Sequence, residues 1–462
     1  MNRIILIGNG FDLAHGLKTG YRDFIGNYWT EFVKKIPENI FGVYEDELTK
    51  FEKTSGPSHF YEACIATSYG IGNENGYKYQ DAFGRGIIPE FCKALTEIRS
   101  YHDLNELIDK VNSTSDLQFK LTFNNVFFEA INQRLTEQKW VDIESAFYSL
   151  LKELCPDSSI TSKHPSYKTP EELNRDLTTI KAKLIDFLTF IQENEITDGI
   201  VNTEIKKLLF EPFNVQDISN GGQEMFSSFL EKRFNMAKNR VLSHCFWYRY
   251  SLYNNITPMP DVINYRERNT PRGNEFKIRS SEMAKNVPDF FLLPDDVLFL
   301  NFNYTKTAHL YVGKLNAFTI NHIHGELGND KNPIIFGYGD EMDEHYKKIA
   351  NLNDNEYLQN IKSIRYLETD NYRQLLTFLD SDPYQIYIMG HSCGNSDRTL
   401  LNTLFEHPKC VSIKPFYYQK PDGTDDYIDI VQNISRNFKD ATLMRDRVVN
   451  KTYCEALPQN PQ

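Results

Sequence analysis

Polar residues able to do chemistry follow the apolar segments near the end of this 462-residue chain. Asn303, His324 and Ser392 each come shortly after a short apolar run, and Asp397 lies just beyond Ser392. An imidazole titrates near neutral pH, so His324 is a candidate general base. The amide of Asn303 could orient a ribose hydroxyl or an attacking water. Together these groups suit cleavage of a nucleotide N-glycosidic bond, whose oxocarbenium-like transition state is stabilised by polar groups near the ribose.

A glycine turn at the start of the chain predicts a place for a phosphate group. Ile4–Ile7 is long enough for a buried strand, residues 8–10 (Gly-Asn-Gly) force a tight turn, and Leu13 and Leu17 follow at helical spacing. Such a turn exposes backbone N–H groups at a helix start, where the helix dipole favours an anion. Leu13 occupies the third glycine position of G-x-G-x-x-G, so a plain strand-to-helix turn is the alternative interpretation.

The strand-end residues also have purely structural interpretations. Asn303 could cap a helix that begins near Thr305, and His324 could be a turn histidine bonded to the backbone. Because both follow successive apolar runs in the same manner, we favour the functional interpretation of the set.

The predicted fold is α/β with a mostly parallel sheet. The predicted strands of this one sheet are 3–8, 297–302, 318–323, 333–336, 385–389 and 411–417. Several of them end in Gly, Asn, His or Ser, as expected where the carboxyl ends of parallel strands carry a site. We therefore expect residues 8–11, Asn303, His324 and residues 390–392 to line one pocket.

The middle of the chain follows a helical period. Apolar stripes occur at residues 104–111, 126–135 and 173–191. We predict a first βα unit over residues 1–30, a mainly helical insertion over 31–294, and the remainder of the α/β domain over 295–462. We interpret the insertion as a structural cap, with loops at 70–76 and 156–170 and a basic surface loop around Arg266, Arg268 and Arg272.

The composition of the chain argues against several binding partners and cellular locations. A net charge of −12 argues against general binding to nucleic acids or to anionic membranes. The run at residues 4–7 is too short for a signal peptide, and no run approaches the ~18 residues of a membrane span. The 7 cysteines are scattered without a C-x-x-C pair, so we expect a reducing cytoplasm, no structural zinc and no metal.

Several motifs resemble those of the bacteriophage abortive-infection AbiH family. They are residues 5–17 with Tyr21 and Phe24, and residues 140–144, 301–305, 323–325, 336–337 and 390–397. The same set is similar to a remote version of the sirtuin-like NAD-binding fold. The resemblance implies a Rossmann-like sheet in which a glycine turn holds pyrophosphate, an Asn lies by the ribose, and a His before Gly is the base.

This resemblance assigns roles to particular residues. It implies that Asn303 and His324 are catalytic and that NAD⁺ is the substrate. The implied nucleotide-binding residues are Gly8, Asn9, Gly10, Phe11, Asp12, Thr305, Gly390, His391, Ser392 and Asp397. The chain departs from the sirtuin-like pattern at Thr305, where that pattern has Asp, and at Asp12, where it has a small residue. The missing zinc cysteines argue against a protein deacylase.

The resulting hypothesis is an anti-phage effector that hydrolyses NAD⁺. Its expected partners are a small nucleotide and either a phage-derived trigger or a second copy of the chain. One alternative is a nucleotide-binding sensor or scaffold without turnover. Another is a serine hydrolase, because residues 390–394 match G-x-S-x-G around Ser392, although only His407 follows it.

Overall fold

The structure is a computed structural model that describes residues 1–56, 87–115, 117–138, 142–156, 167–238, 289–312 and 318–460. Its strands are β1 (Asn2–Ile7), β2 (Val43–Glu45), β3 (Thr49–Ser55), β4 (Gln118–Phe123), β5 (Val297–Asn301), β6 (Thr319–His322), β7 (Tyr384–Met389) and β8 (Cys410–Phe416). The predicted loop at 70–76, the arginine cluster near 270 and residues 157–166 lie outside the described residues.

Five of these strands form a parallel sheet in the order β6-β5-β1-β7-β8. β1 is the central strand, paired with β5 on one side and with β7 on the other. All six residues of β1 are buried. This explains the continuous apolar run at residues 4–7, because a strand covered on both faces has no polar side to present to water. The predicted α/β class and its parallel sheet are confirmed.

Helices make up most of the remaining structure. They are α1 (Asn9–Ala14), α2 (Tyr21–Lys35), α3 (Ile87–Leu95), α4 (Tyr101–Thr114), α5 (Val126–Gln138), α6 (Ile143–Glu153), α7 (Pro170–Glu195), α8 (Thr203–Leu209), α9 (Gln223–Lys238), α10 (His309–Val312), α11 (Glu344–Asn351), α12 (Lys362–Arg365), α13 (Asn371–Ser381), α14 (Arg398–Phe405), α15 (Tyr427–Arg436) and α16 (Ala441–Arg447). Short 3₁₀ turns lie at Pro37–Asn39, Asp198–Ile200, Val215–Asp217, Asp289–Leu292, Asn355–Tyr357, Tyr366–Glu368, Asn395–Asp397 and Lys451–Tyr453.

Helices cover both faces of the parallel sheet. Ile4 and Leu6 belong to one buried apolar cluster, which also contains apolar residues of α13, α14 and α15. Ile5 and Ile7 belong to a second cluster with apolar residues of α1, α8 and α10. Successive side chains of a strand point to opposite faces, so β1 contributes to both cores and fixes the position of the glycine turn that follows it.

The chain divides into two compact units. The first comprises residues 1–19, 188–351 and 360–462, and the second comprises 20–187 and 352–359. The main segment of the second unit, 20–187, begins and ends earlier than the insertion predicted over 31–294, and the unit also includes 352–359. It contains an antiparallel sheet in the order β2-β3-β4 beside its helices. In its core the Trp29 indole is fully buried and donates to Asn132 Oδ1 at 2.8 Å.

The strand predicted at 333–336 is wrong. The segment is irregular, although Ile335 and Phe336 are buried as their apolar character requires. Pro333 has no N–H to donate, and the amide of Ile335 donates to the carbonyl of His324 at 2.8 Å. A Cβ on Gly325 would lie 2.3 Å from the Pro333 carbonyl oxygen, so the segment folds tightly onto the turn after His324 instead of pairing in the sheet.

In the parts of the chain that the structure describes, no helix combines the length and the apolar character that crossing a bilayer requires.

Candidate functional site

The carboxyl ends of four neighbouring strands lie level with one another. Ile7 pairs with both Asn301 and Met389, and Asn301 pairs with His322. The segments that follow β1, β5, β6 and β7 therefore emerge at one edge of the sheet. This carboxyl edge carries the glycine turn, Asn303 and the later strand-end residues that the sequence indicates.

The glycine turn is in direct contact with the loop after β7. The Gly10 amide donates to the Gly390 carbonyl at 2.8 Å. Gly390 has a φ of +75°, and a Cβ there would lie 2.0 Å from the Phe11 nitrogen. A Cβ on Gly8 would lie 2.5 Å from the Cα of His391. These glycines thus allow the segment after β1 and the loop after β7 to lie in backbone contact. The Gly10 N–H already has its acceptor within the protein, the Gly390 carbonyl.

Asn303 connects β5 to the glycine turn. Its Nδ2 donates to the Gly8 carbonyl at 3.0 Å, and its backbone N–H donates to Asn301 Oδ1 at 3.0 Å. Nδ2 of Asn301 in turn donates to the Thr305 carbonyl at 3.2 Å. Hydrogen bonds between side chains and backbone groups therefore fix the loop that carries Asn303, the candidate catalytic amide, on both sides of this residue.

Asp12 is a buried carboxyl group beside this loop. Its side chain is 1 % exposed, and its Oδ2 accepts from the Thr305 hydroxyl at 2.6 Å. Burial raises the pKa of Asp12 to about 6, although hydrogen bonding from Thr305, Thr307 and Asn303 partly offsets that effect. The two residues at which the chain departs from the sirtuin-like pattern are thus bonded to one another.

The raised pKa of Asp12 predicts a pH-dependent stability. The folded-state pKa near 6 lies above the ordinary 3.8. The contribution of the protonated Asp12 to the free energy of unfolding is therefore complete below the unfolded-state pKa. It is lost as the pH rises through the folded-state pKa. Asp12→Asn removes this titration. Its stability relative to wild type should rise by about 2 kcal/mol between about pH 4 and about pH 8.

Urea unfolding of both proteins across that range measures the difference. Asp440→Asn is the matched control, for which the change of stability with pH should have the opposite sign. Backbone amides at the start of α16 lower the pKa of Asp440. A difference between Asp12→Asn and wild type that stays constant with pH would contradict the assigned pKa.

His324 lies in a buried polar cluster at the end of β6. Its Nε2 is 3.1 Å from Asp397 Oδ1 and 3.2 Å from the Tyr366 hydroxyl. Lys362 Nζ donates to the same Asp397 oxygen at 2.8 Å. His391 Nε2 lies 3.6 Å from the other carboxylate oxygen. Asp397 is thus the centre of the cluster, and its carboxylate orients both imidazoles.

The charges in this cluster follow from burial and from Lys362. Burial and then the Lys362 ammonium lower the pKa of His324 to about 4, so its imidazole is neutral at pH 7. Burial opposes ionisation of Asp397, but Lys362 and then His324 hold its pKa well below the usual range. The carboxylate accepts the Nε2 proton of neutral His324, which leaves the basic lone pair on Nδ1.

The predicted residues of the loop after β7 lie in two environments, one buried and one exposed. His391 is 6 % exposed, and its Nδ1 accepts from the Cys393 amide at 3.0 Å. Ser392 is exposed, and its carbonyl accepts from Asn433 Nδ2 at 2.8 Å. Of the predicted site residues, the structure places His391 and Asp397 beside His324, and Gly8 and Gly10 against Gly390.

The geometry does not support a serine hydrolase. The ring of His407 lies 5.9 Å from that of Tyr384, the first residue of β7. Its Nε2 is 3.4 Å from Asp380 Oδ1. His407 is therefore at the amino end of β7, whereas Ser392 follows the carboxyl end, and the two cannot form a nucleophile–base pair.

Lys362 and Tyr366 were not identified from the sequence. They lie on α12 and the 3₁₀ turn that follows it, and Lys362 is 1 % exposed despite its charge. No motif marks them, because tertiary packing makes their contacts: Lys362 with Asp397, 35 positions away, and Tyr366 with His324, 42 positions away.

This arrangement places the chain in the class of α/β proteins whose polar residues gather at the carboxyl edge of a parallel sheet. The sequence model of the family described as Bacteriophage abortive infection AbiH matches residues 4–419. The chain belongs to this family, which implies a role in phage abortive infection. No curated protein matches the chain. The solved structures likewise contain no match.

Proposed function

We propose that this AbiH protein is an abortive-infection effector that hydrolyses the nicotinamide N-glycosidic bond of NAD⁺. The observation that carries the proposal is the buried His324–Asp397 pair at the carboxyl edge of the parallel sheet. A neutral imidazole oriented by a carboxylate is the arrangement of a general base.

The strand order supports a nucleotide as the substrate. Numbered by position along the chain, the five strands of β6-β5-β1-β7-β8 have the order 3-2-1-4-5. This is the order of doubly wound Rossmann-like sheets, which bind dinucleotides beyond the carboxyl ends where the order reverses. The sirtuin-like motifs point to the same fold. The reversal lies beside β1, and the segments after β1 and β7 carry the proposed nucleotide-binding residues.

The proposed reaction uses three side chains of this edge. A water oxygen attacks C1′ of the nicotinamide ribose, and the C1′–N bond breaks. Its electron pair passes to the ring nitrogen, so nicotinamide leaves as a neutral molecule. His324 Nδ1 takes the proton of the attacking water, and Asn303 orients the ribose. Asp397 stabilises the imidazolium that forms on His324. The second product of the reaction is ADP-ribose.

The deep burial of the cluster favours a second candidate, a nucleotide sensor without turnover. His324 is 4 % exposed and Asp397 is 7 % exposed, and the Gly10 amide is already bonded to Gly390. A site with so little access to water is suited to holding a ligand as a signal. This candidate predicts NAD⁺ binding without release of nicotinamide.

The test is the fate of NAD⁺ in bacteria that express the full chain. After phage infection, the hydrolase predicts falling NAD⁺ and rising nicotinamide and ADP-ribose, measured by chromatography with mass detection. Purified protein incubated with NAD⁺, ATP, tRNA and DNA identifies other substrates. Infection that aborts while NAD⁺ stays constant would overturn the hydrolase and leave the sensor.

Ser392→Ala tests the predicted nucleotide-binding role of Ser392 and checks the exclusion of a serine hydrolase independently of the geometry. Because Ser392 is exposed beside the Gly390 contact, we expect its substitution mainly to weaken nucleotide binding, seen as a raised KM with kcat retained. A serine hydrolase would instead lose kcat completely, since its nucleophile would be gone.

A further inference from the structure

Three metal-ligating side chains converge near the end of β6, on residues that the proposed reaction does not use. His309 begins α10, His322 ends β6, and Glu326 follows the turn after β6. The Nε2 atoms of the two histidines are 3.0 Å apart. One ligand atom from each of the three residues lies within 4.8 Å of the others. We propose that His309, His322 and Glu326 form a site for one divalent transition-metal ion, with Zn²⁺ as the best-matched cation.

The donor set fits this chemistry. Imidazole nitrogens and a carboxylate oxygen bind Zn²⁺ at about 2.0–2.2 Å, so tetrahedral ligands lie about 3.3 Å from one another. The observed separation of 3.0 Å between the histidine nitrogens is close to that value. Three protein ligands leave a fourth position open, as in Zn²⁺ sites that also hold a water.

The protein keeps both imidazoles in the form that a metal needs. Burial is the largest cause that lowers the pKa of His309, and it also lowers the pKa of His322 to about 4. Both rings are therefore neutral at pH 7 and have lone pairs to offer. His309 is exposed, which gives an ion access from solvent, whereas His322 is 5 % exposed and holds the inner position.

The surrounding groups orient these ligands. Asn329 Nδ2 donates to Glu326 Oε2 at 2.7 Å, and Lys306 Nζ lies 3.4 Å from Oε1. A bound cation would share the Glu326 carboxylate with Lys306. The ring of His322 also forms a hydrogen bond with the backbone of Asn303. A donated ring N–H of this kind leaves the other nitrogen free to bind a metal.

A direct hydrogen bond between the two histidines is the competing explanation. Asn301 Nδ2 lies 3.2 Å from His322 Nδ1, and if it donates there, the proton of His322 sits on Nε2 and points at His309. That arrangement explains the short distance between the histidines without an ion. It does not involve Glu326, one of whose carboxylate oxygens lies within 4.8 Å of a nitrogen of each histidine.

The site would also connect the metal to the loop after β5. Asn301 bridges His322, the Thr305 carbonyl and the Asn303 amide. An ion bound by His322 would therefore rigidify the strand end that carries Asn303. The proposal does not depend on NAD⁺ hydrolysis, because its ligands lie outside the proposed reaction.

Metal binding by the full chain tests the proposal. The purified protein is stripped with EDTA, dialysed into metal-free buffer and titrated calorimetrically with ZnCl₂. We expect one equivalent to bind. His309→Ala and Glu326→Gln should each weaken binding by at least about tenfold, the smallest loss typical even of an outer-shell partner. Co²⁺ in place of Zn²⁺ should give the visible absorption of a tetrahedral ion.

The matched control is His102→Ala. His102 is an exposed histidine paired with Glu106 at 3.1 Å, a surface pair of the same two residue types. Removal of the His102 imidazole should leave the affinity for Zn²⁺ unchanged. His309 is itself exposed, so its variant should fold, and thermal melts of the metal-free proteins confirm this. The proposal is overturned if no stoichiometric Zn²⁺ binds, or if His309→Ala and Glu326→Gln bind it as wild type does.

Discussion

Replacing His324 with alanine is expected to lower the rate of NAD⁺ hydrolysis by a factor of about 10²–10⁴, the usual contribution of a general base. The substitution removes Nδ1, the proposed proton acceptor. Asp397 keeps Lys362 as a partner at 2.8 Å, so its carboxylate is not left alone. Asn303→Ala is also expected to lose turnover, because the ribose is no longer oriented.

His345→Ala is the control for this measurement. His345 Nδ1 lies 3.2 Å from Asp343 Oδ1, which makes a second histidine–aspartate pair, but its side chain is 42 % exposed. Rates are measured as nicotinamide released, with thermal melts to compare folding. Equal NAD⁺ loss in cells that express wild type, Asn303→Ala or His324→Ala would exclude the assigned chemistry, and the sensor would then be the better explanation.

Gly390→Ala is expected to cause the largest loss of stability among single methyl additions at the carboxyl edge. The new Cβ would lie 2.0 Å from the Phe11 nitrogen and 2.3 Å from the Gly10 carbonyl carbon. Both are backbone atoms and cannot rotate away. Overpacking and the left-handed φ of +75° together should cost about 3 kcal/mol or more.

Gly423→Ala separates the two causes of this loss. Gly423 has a φ of +85°, but no atom lies within 4 Å of its added Cβ. This variant therefore carries the conformational strain alone, about 1 kcal/mol. Urea unfolding of the two variants beside wild type gives the comparison. Equal stabilities of Gly390→Ala and Gly423→Ala would mean that the contact between the glycine turn and the β7 loop is not tight in solution.

The parallel sheet could be predicted because its strands are short apolar runs that end in polar residues. β1, β5 and β7 are buried over their whole lengths, so hydrophobicity alone marks them. The same signal failed at 333–336. That run is also buried, but Pro333 and the turn at Gly325 prevent it from pairing. Apolar character predicts burial there, and burial does not require a strand.

The antiparallel sheet of the second unit was missed for the opposite reason. β3 alternates buried Thr49 and Phe51 with the more exposed Lys50 and Glu52. β4 likewise carries Phe119 between polar residues. This period of two is the signal of a half-buried strand, but it covers only a few residues. The long helical stripes around it are the stronger signal and predict a mainly helical region.

The candidate site was predictable only where strand ends mark it. Asn303, His324 and the 390–397 loop follow strands of the parallel sheet, and the parallel register brings those strand ends to one edge. Lys362, Tyr366 and His309 reach their partners from helices and turns. Their positions depend on tertiary packing, which a single sequence does not encode locally.

The central position of β1 has a consequence for how the protein is made. Met1 bonds to Asp295, 294 positions later, and Arg3 bonds to Gln385, 382 positions later. On the ribosome, β1 leaves the exit tunnel long before either neighbour exists, while residues 20–187 are already available to fold. The sheet closes only when the last strands emerge, because contacts so distant in sequence cannot form earlier. A copy truncated or stalled before β7 thus cannot assemble the carboxyl edge, and any activity of that edge requires both β7 and β8 to have been synthesised.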